Sequence, residues 1–268
     1  MNILVCVKQV PDTTEIRIDP VNKTLIRNGV PSIVNPYDTY ALENAARIKD
    51  ADPSSKIYVI SMGPEQAKAA LRECLSIAAD KAYLITDRVF GGSDTLATSY
   101  IISSAIKYVE QKEGIRIDAV FCGKQAIDGD TAQVGPEIAE HLGYPQITYA
   151  LDAEAYSSGL KVTQEADSCR KVVTVTLPAV VTFTKPDFPV RYANARRILA
   201  ANRTEIENIT AEKLAGIDLA RCGLKGSPTK VKSTFVPVHE TKIQWIDETT
   251  PSGSGVKLAS VLREEHLI

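Results

Sequence analysis

Four short runs of continuous apolar residues recur through the first half of the chain, at 3–7, 57–60, 82–85 and 119–122. Each is followed by a segment with helical spacing. A strand that is apolar at every position must be buried on both faces, which is the condition of a strand in a parallel sheet covered by helices. The segments between the runs supply those helices. Asn35-Pro36-Tyr37-Asp38 opens the first, with Asn35 as the cap, Pro36 at the first helical position and Asp38 complementing the positive helix end. Its apolar face is Tyr37, Tyr40, Ala41, Ala45 and Ile48. The second follows Ser61-Met62-Gly63-Pro64 and carries Ala67, Ala70, Leu71, Cys74, Leu75 and Ala78 at three-four spacing. A third is expected from Gly91-Gly92-Ser93-Asp94-Thr95 to about Val109, and a fourth from about Thr131 to Leu142. The alternation predicts an α/β fold, an open and mostly parallel sheet flanked by helices.

The second part of the chain is β-rich, at 160–162, 171–177 and 179–183. An excursion hairpin is expected where Ile16-Arg17-Ile18 and Thr24-Leu25-Ile26 flank a Pro/Asn turn. After Asn202 the pattern loosens, and Gly and Pro punctuate the last 46 residues. The division predicted is a domain over 1–202 and an extended C-terminal arm over 203–268 that packs on another chain. With 31 Lys and Arg against 33 Asp and Glu, the net charge of −2 gives no basic footprint for nucleic acid. No apolar run approaches the roughly 18 residues of a membrane span. The N-terminus has no basic region before its short apolar run and reads as a strand. Five cysteines without a C-x-x-C pair predict reduced thiols and a cytoplasmic protein. His141, His239 and His266 are scattered, so no metal is expected.

Open α/β sheets bind ligands at the carboxyl ends of their strands. Four loops fall there, at 8–12, 61–64, 87–95 and 123–135. The richest is Gly123-Lys124-Gln125-Ala126-Ile127-Asp128-Gly129-Asp130-Thr131-Ala132-Gln133-Val134-Gly135-Pro136. Its glycines allow close backbone approach, and free N–H groups around Thr131 to Gln133 suit a phosphate. Asp128 and Asp130 would repel that phosphate, so one of them caps the helix or binds a ribose hydroxyl. A capping turn without a ligand is the plainer alternative. Ser93, Asp94 and Thr95 form a second glycine-led helix entry, and two such ends could hold two phosphates. Neither segment is G-x-G-x-x-G or a P-loop. No set of acid, base and nucleophile stands out, and the residues suit holding a cofactor.

With these motifs in hand, the sequence closely resembles the β subunit of electron-transfer flavoproteins over nearly its whole length. The landmarks are Cys6-Val7-Lys8-Gln9-Val10, Asn35-Pro36-Tyr37, Met62-Gly63-Pro64, Gly123-Lys124-Gln125-Ala126-Ile127-Asp128, Leu177-Pro178-Ala179-Val180-Val181-Thr182 and Arg191-Tyr192-Ala193. The resemblance implies a Rossmann-like adenine-nucleotide-binding fold and an α subunit as partner. In shuttling members the nucleotide is AMP. In electron-bifurcating members it is FAD, which takes hydride from NADH, sends one electron to ferredoxin or flavodoxin and the other through the α-subunit FAD to a flavoprotein dehydrogenase or reductase. Val10-Pro11-Asp12-Thr13, Ile16-Arg17-Ile18-Asp19-Pro20 and Gly92-Ser93-Asp94-Thr95-Leu96-Ala97-Thr98 resemble the bifurcating group. The resemblance assigns adenine and ribose contacts to Cys6, Asn35, Pro36, Tyr37, Asp38 and Met62, and phosphate contacts within 123–134. It gives FAD a second seat at Ser93, Asp94 and Thr95. A segment from about Asp187 to Arg197 resembles the dehydrogenase-docking loop, with Ala195 where shuttling members often carry leucine and with Arg196 and Arg197 departing from the pattern. The terminal dehydrogenase stays open among acyl-CoA, enoyl-CoA and lactate types. The alternatives are a non-bifurcating subunit that holds AMP, and a stand-alone nucleotide-binding protein of the universal-stress type.

Overall fold

A computed structural model describes residues 1–12, 31–232 and 243–268. The hairpin expected around 16–26 lies outside the described residues. The backbone of the fold is a sheet that runs β11(Glu207–Ile209), β5(Lys81–Ile85), β4(Lys56–Met62), β1(Asn2–Cys6), β6(Ala119–Gly123), β10(Ala179–Phe183), β7(Gln146–Tyr156), β8(Gly159–Glu165), β9(Arg170–Thr176). From β11 to β7 every neighbouring pair is parallel. The last two pairings, β7 with β8 and β8 with β9, are antiparallel. A short hairpin, β2(Gln9–Pro11) with β3(Ser32–Val34), stands apart from it.

The all-apolar runs form four neighbouring strands, β5, β4, β1 and β6, inside the sheet, as expected. Ile3, Leu4 and Val5 are fully buried, and so are Ala119, Val120 and Phe121. Alternate side chains feed two cores. Ile3, Val5, Val59 and Phe121 face α1(Pro36–Ala51) and α2(Lys68–Ile77), whose Leu42, Ala45, Leu71 and Cys74 complete that side. Leu4, Ile60, Ile85 and Val120 face α3(Thr95–Glu113) and α4(Val134–Leu142), with Ile101, Ile106 and Ile138. The β-rich second part extends the same sheet: β10 inserts beside β6, and the meander β7-β8-β9 continues from it.

The structure divides at a different point from the 202/203 boundary expected. Of the described residues, one compact unit comprises 1–12 and 31–232, the other 243–268. Residues 203–232 belong to the first because β11 adds an edge strand beside β5, and Ile206, Ile209, Leu214 and Cys222 are buried there. Few apolar residues sufficed for this, since each falls on a ready-made core. In that unit α5(Ala195–Arg203) and the single turn α6(Gly223–Gly226) follow. In the second unit, α7(Pro251–Glu264) is capped by the Thr250 hydroxyl, which accepts the Gly253 N–H at 3.1 Å. None of its residues is buried. No helix among the described residues is long and apolar enough to cross a membrane, and none of their His, Cys, Asp and Glu side chains cluster to hold a metal.

Candidate functional site

Because β1, β4, β5 and β6 are mutually parallel, their carboxyl ends share one edge. The first turn of α1 organises the middle of that edge. Asp38 is buried, and its Oδ2 accepts the Lys8 N–H at 2.7 Å from the end of β1. Its Oδ1 accepts the Gly123 N–H at 3.2 Å from the end of β6 and the Asn35 amide at 2.9 Å. Burial pushes the Asp38 carboxyl from 3.8 up to about 7, against the pull of Asn35, Lys8 and Gly123. The approach is so close that a Cβ at Gly123 would stand 2.2 Å from Asp38 Oδ1. Asn35 occupies the N-cap position, but its side chain makes no cap bond. Its Nδ2 donates to the Gln125 carbonyl at 2.8 Å and its Oδ1 accepts the Ile127 N–H at 3.1 Å. A residue read as a cap instead holds the 123–127 loop.

That loop continues differently from expectation. The helix begins at Val134, not near Thr131. Asp130 and Ala132 both adopt φ of 54°, a left-handed conformation that a right-handed helix cannot include. The N–H groups of Thr131, Ala132, Gln133, Val134 and Gly135 find no acceptor among the described residues. They run from the loop into the first turn of α4, where Gly135 is buried. Gly135 packs against Thr182, where a Cβ would fall 2.5 Å from the threonine methyl. Asp128 accepts from Lys8 Nζ at 2.7 Å, and Asp130 accepts from the Gln125 amide, so both carboxylates have donors within the edge. The Lys124 ammonium lies 5.8 Å from the Tyr37 ring and 5.0 Å from the Tyr149 ring. Pro36 and Tyr37, half-buried, start α1 above this loop.

Cys6 and Cys122 are register partners at the ends of β1 and β6. The Cys122 thiol, then burial, holds the Cys6 thiol well above its ordinary range, so it stays protonated. Met62 ends β4, half-buried, beside a Ser61 hydroxyl that is buried without a partner. At the α3 entry, Thr95 Oγ1 lies 3.1 Å from both Gln133 Oε1 and Glu137 Oε1. Glu137 Oε2 is buried and unpartnered. Thr95 therefore joins the 123–134 loop. Ser93 and Asp94 turn elsewhere: Ser93 Oγ accepts the Gly223 N–H at 3.0 Å, and Asp94 Oδ2 accepts the Thr229 hydroxyl at 2.8 Å. Ser61 lies in the 61–64 loop expected at this edge, whereas Glu137 and Tyr149 carry no motif and only their position in the fold brings them there.

Away from the edge, the 187–197 segment is fastened to the outer faces of α1 and α2. Glu43, buried on α1, accepts the Arg191 N–H at 3.0 Å and Arg191 Nε at 2.8 Å. Arg191 also reaches Asp50 at 2.8 Å. The Arg47 guanidinium lies 3.8 Å from the Phe188 ring centre. Arg197 donates to the carbonyls of Leu75 and Ala79 at the end of α2. Between these anchors Tyr192 is 95% exposed.

An open, mostly parallel sheet flanked by helices, with its loops gathered at the carboxyl edge, makes this a Rossmann-like α/β protein. Known proteins place it more closely. The electron transfer flavoprotein domain family matches residues 22–214. The chain is 52% identical to the electron transfer flavoprotein subunit beta of Megasphaera elsdenii over 238 residues, covering 88% of each chain. It is 48% identical to the subunit of the same name in Clostridium acetobutylicum over 268 residues, the whole of both chains. It is 43% identical, again over 268 residues and the whole of both, to the caffeyl-CoA reductase-Etf complex subunit CarD of Acetobacterium woodii. The chain belongs to the electron transfer flavoprotein family, on its beta-subunit side.

Proposed function

We propose that this chain, paired with an α subunit, holds FAD along the sheet edge and serves as the entry point of an electron-bifurcating complex. The observation that carries the reading is the facing pair of elements at 131–137 and Thr95. The row of N–H donors from Thr131 to Gly135 suits phosphate oxygens. The Thr95 hydroxyl, the Gln133 amide and the unpartnered Glu137 oxygen suit a chain of hydroxyls, since a carboxylate accepts from hydroxyls and repels phosphates. A nucleotide with a ribityl chain meets both requirements. Cys6, the 35–38 turn and Met62 bound the adenine side, and the buried Ser61 hydroxyl lies there as an unused polar group. Lys8 and Lys124 add positive charge across the loop.

FAD bound here supplies two-electron acceptance from NADH and one-electron release to ferredoxin or flavodoxin and to the α-subunit FAD. The protein's part is to hold and orient it. The 187–197 segment then docks a flavoprotein dehydrogenase or reductase, and the name of the Acetobacterium relative gives a reductase-containing assembly as precedent. The 243–268 stretch, with Ile243, Trp245 and Val256 exposed, is the part offered to the α subunit.

A second reading, AMP with a structural role, draws on one specific feature. Ser93 and Asp94 already bond the 223–229 segment, which leaves the 131–135 row as the phosphate cradle, enough for one phosphate. Co-expression with the α subunit and a count of FAD and AMP per heterodimer separates the two. Two FAD and no AMP is the expected result; one FAD plus one AMP refutes it.

A further inference from the structure

Two stretches more than a hundred residues apart interlock behind the α3 entry. Gly92, at φ of 73°, leaves a gap that Leu224 fills; a Cβ there would stand 2.6 Å from the Leu224 side chain. Gly223, at φ of 60°, approaches Val89 so closely that a Cβ would be 2.3 Å from its carbonyl oxygen. Ser93 Oγ donates to the Phe90 carbonyl at 2.7 Å and accepts from Gly223. The Asp94 N–H donates to Ser227 Oγ at 2.8 Å, and that buried hydroxyl donates to the Gly223 carbonyl at 2.7 Å. The Asp94 carboxylate is divided. Its Oδ1 accepts the Ala97 N–H at 3.1 Å and so caps α3, while its Oδ2 accepts the Thr229 N–H at 3.0 Å and the Thr229 hydroxyl.

One carboxylate therefore fixes both the first turn of α3 and the 222–229 hook. Thr95, the next residue, presents its hydroxyl to Gln133 and Glu137. We infer that the hook sets the pose of Thr95 from behind, with Asp94, Ser227 and Thr229 as positioning residues that select for a nucleotide reaching α3. The inference rests on the FAD reading above. AMP requires only the 131–135 row, which the hook does not touch, so its binding is independent of the hook.

The test uses the αβ heterodimer, stripped of nucleotide and titrated separately with FAD and with AMP. Ser227→Ala and Thr229→Val each remove one hydroxyl that bonds Asp94 and makes no bond to the 131–135 row. Each is expected to weaken FAD uptake by this subunit about tenfold, the effect of losing one well-placed hydrogen bond. AMP affinity stays within about twofold, which also shows that the variants are folded. Thr229→Ser, which keeps the hydroxyl, restores FAD uptake. Unchanged FAD affinity in Ser227→Ala and Thr229→Val overturns the inference, and equal weakening of AMP reduces the hook to a general stabiliser. An unsubstituted heterodimer that takes AMP but no FAD overturns the FAD reading itself, and this inference with it.

Discussion

Asp38 and Asp94 look alike in the sequence. Each is an acidic residue at the start of a helix, where a carboxylate complements the helix end. Their duties in the fold differ. Asp38 turns inward, is buried, and takes N–H groups from the ends of two sheet strands and an amide from Asn35. Asp94 caps its own helix and reaches outward to Thr229. The first builds the ligand edge, and the second ties it to a distant segment. Residue type and spacing announce a helix start, but only the fold decides which backbone the carboxylate serves.

Removing Asp38 should have the largest effect. Asp38→Ala leaves the Lys8 and Gly123 N–H groups and the Asn35 amide without their acceptor, which should cost roughly 4 kcal/mol in urea unfolding. Titration supplies a second readout. The folded carboxyl protonates at about 7, and the unfolded one near 3.8. Between those values the folded chain holds a proton that the unfolded chain has released, so stability falls as pH rises. The contribution is complete below about pH 4 and lost above about pH 7. Asp38→Ala should flatten that slope. A variant with the parent's slope would assign the titration to another group and break the contrast with the capping carboxylate at Asp94.

Glu43 extends the contrast along the same helix. It is buried on α1 and paired with Arg191, a contact between residues 148 apart in the chain. Glu43→Ala leaves a half-buried guanidinium with Asp50 alone and should cost about 3 kcal/mol. It should also weaken docking of a flavoprotein dehydrogenase through the 187–197 segment while leaving nucleotide content unchanged. Loss of nucleotide in this variant would join the two ends of α1 into one site.

These cases mark how far the sequence could be read. The central strands were legible because residues 3–5 and 119–121 are apolar without interruption, and nothing but a two-sided core accepts that. The edge itself was legible, since parallel strands place their loops together. The start of α4 was not, because Ala132, just before it, takes a left-handed backbone that its residue type does not signal. Nor was the membership of 203–232, since β11 is three residues long and is defined by pairing with β5 across more than a hundred residues. The local setting of Asn35 signals a side-chain cap, and its amide follows a loop ninety residues away instead.

Gly129 sharpens the comparison from the other side, because it has no structural duty to lose. Nothing lies within 4 Å of where its Cβ would be, and its φ is one that an L-residue adopts. Gly129→Ala should therefore change stability by less than about 0.5 kcal/mol. Gly123 makes the opposite case, since Asp38 and Tyr37 already occupy the space its side chain would need. If the glycine at 129 is there to let a nucleotide approach the backbone, the substitution weakens binding in a heterodimer whose unfolding curve is unaltered. Equal binding would mean that the ligand keeps to the Thr131–Gly135 row, and the approach assigned to this part of the loop would fall. Stability and affinity move together at Asp38 and should separate at Gly129. That separation distinguishes residues that build the edge from those that leave room at it.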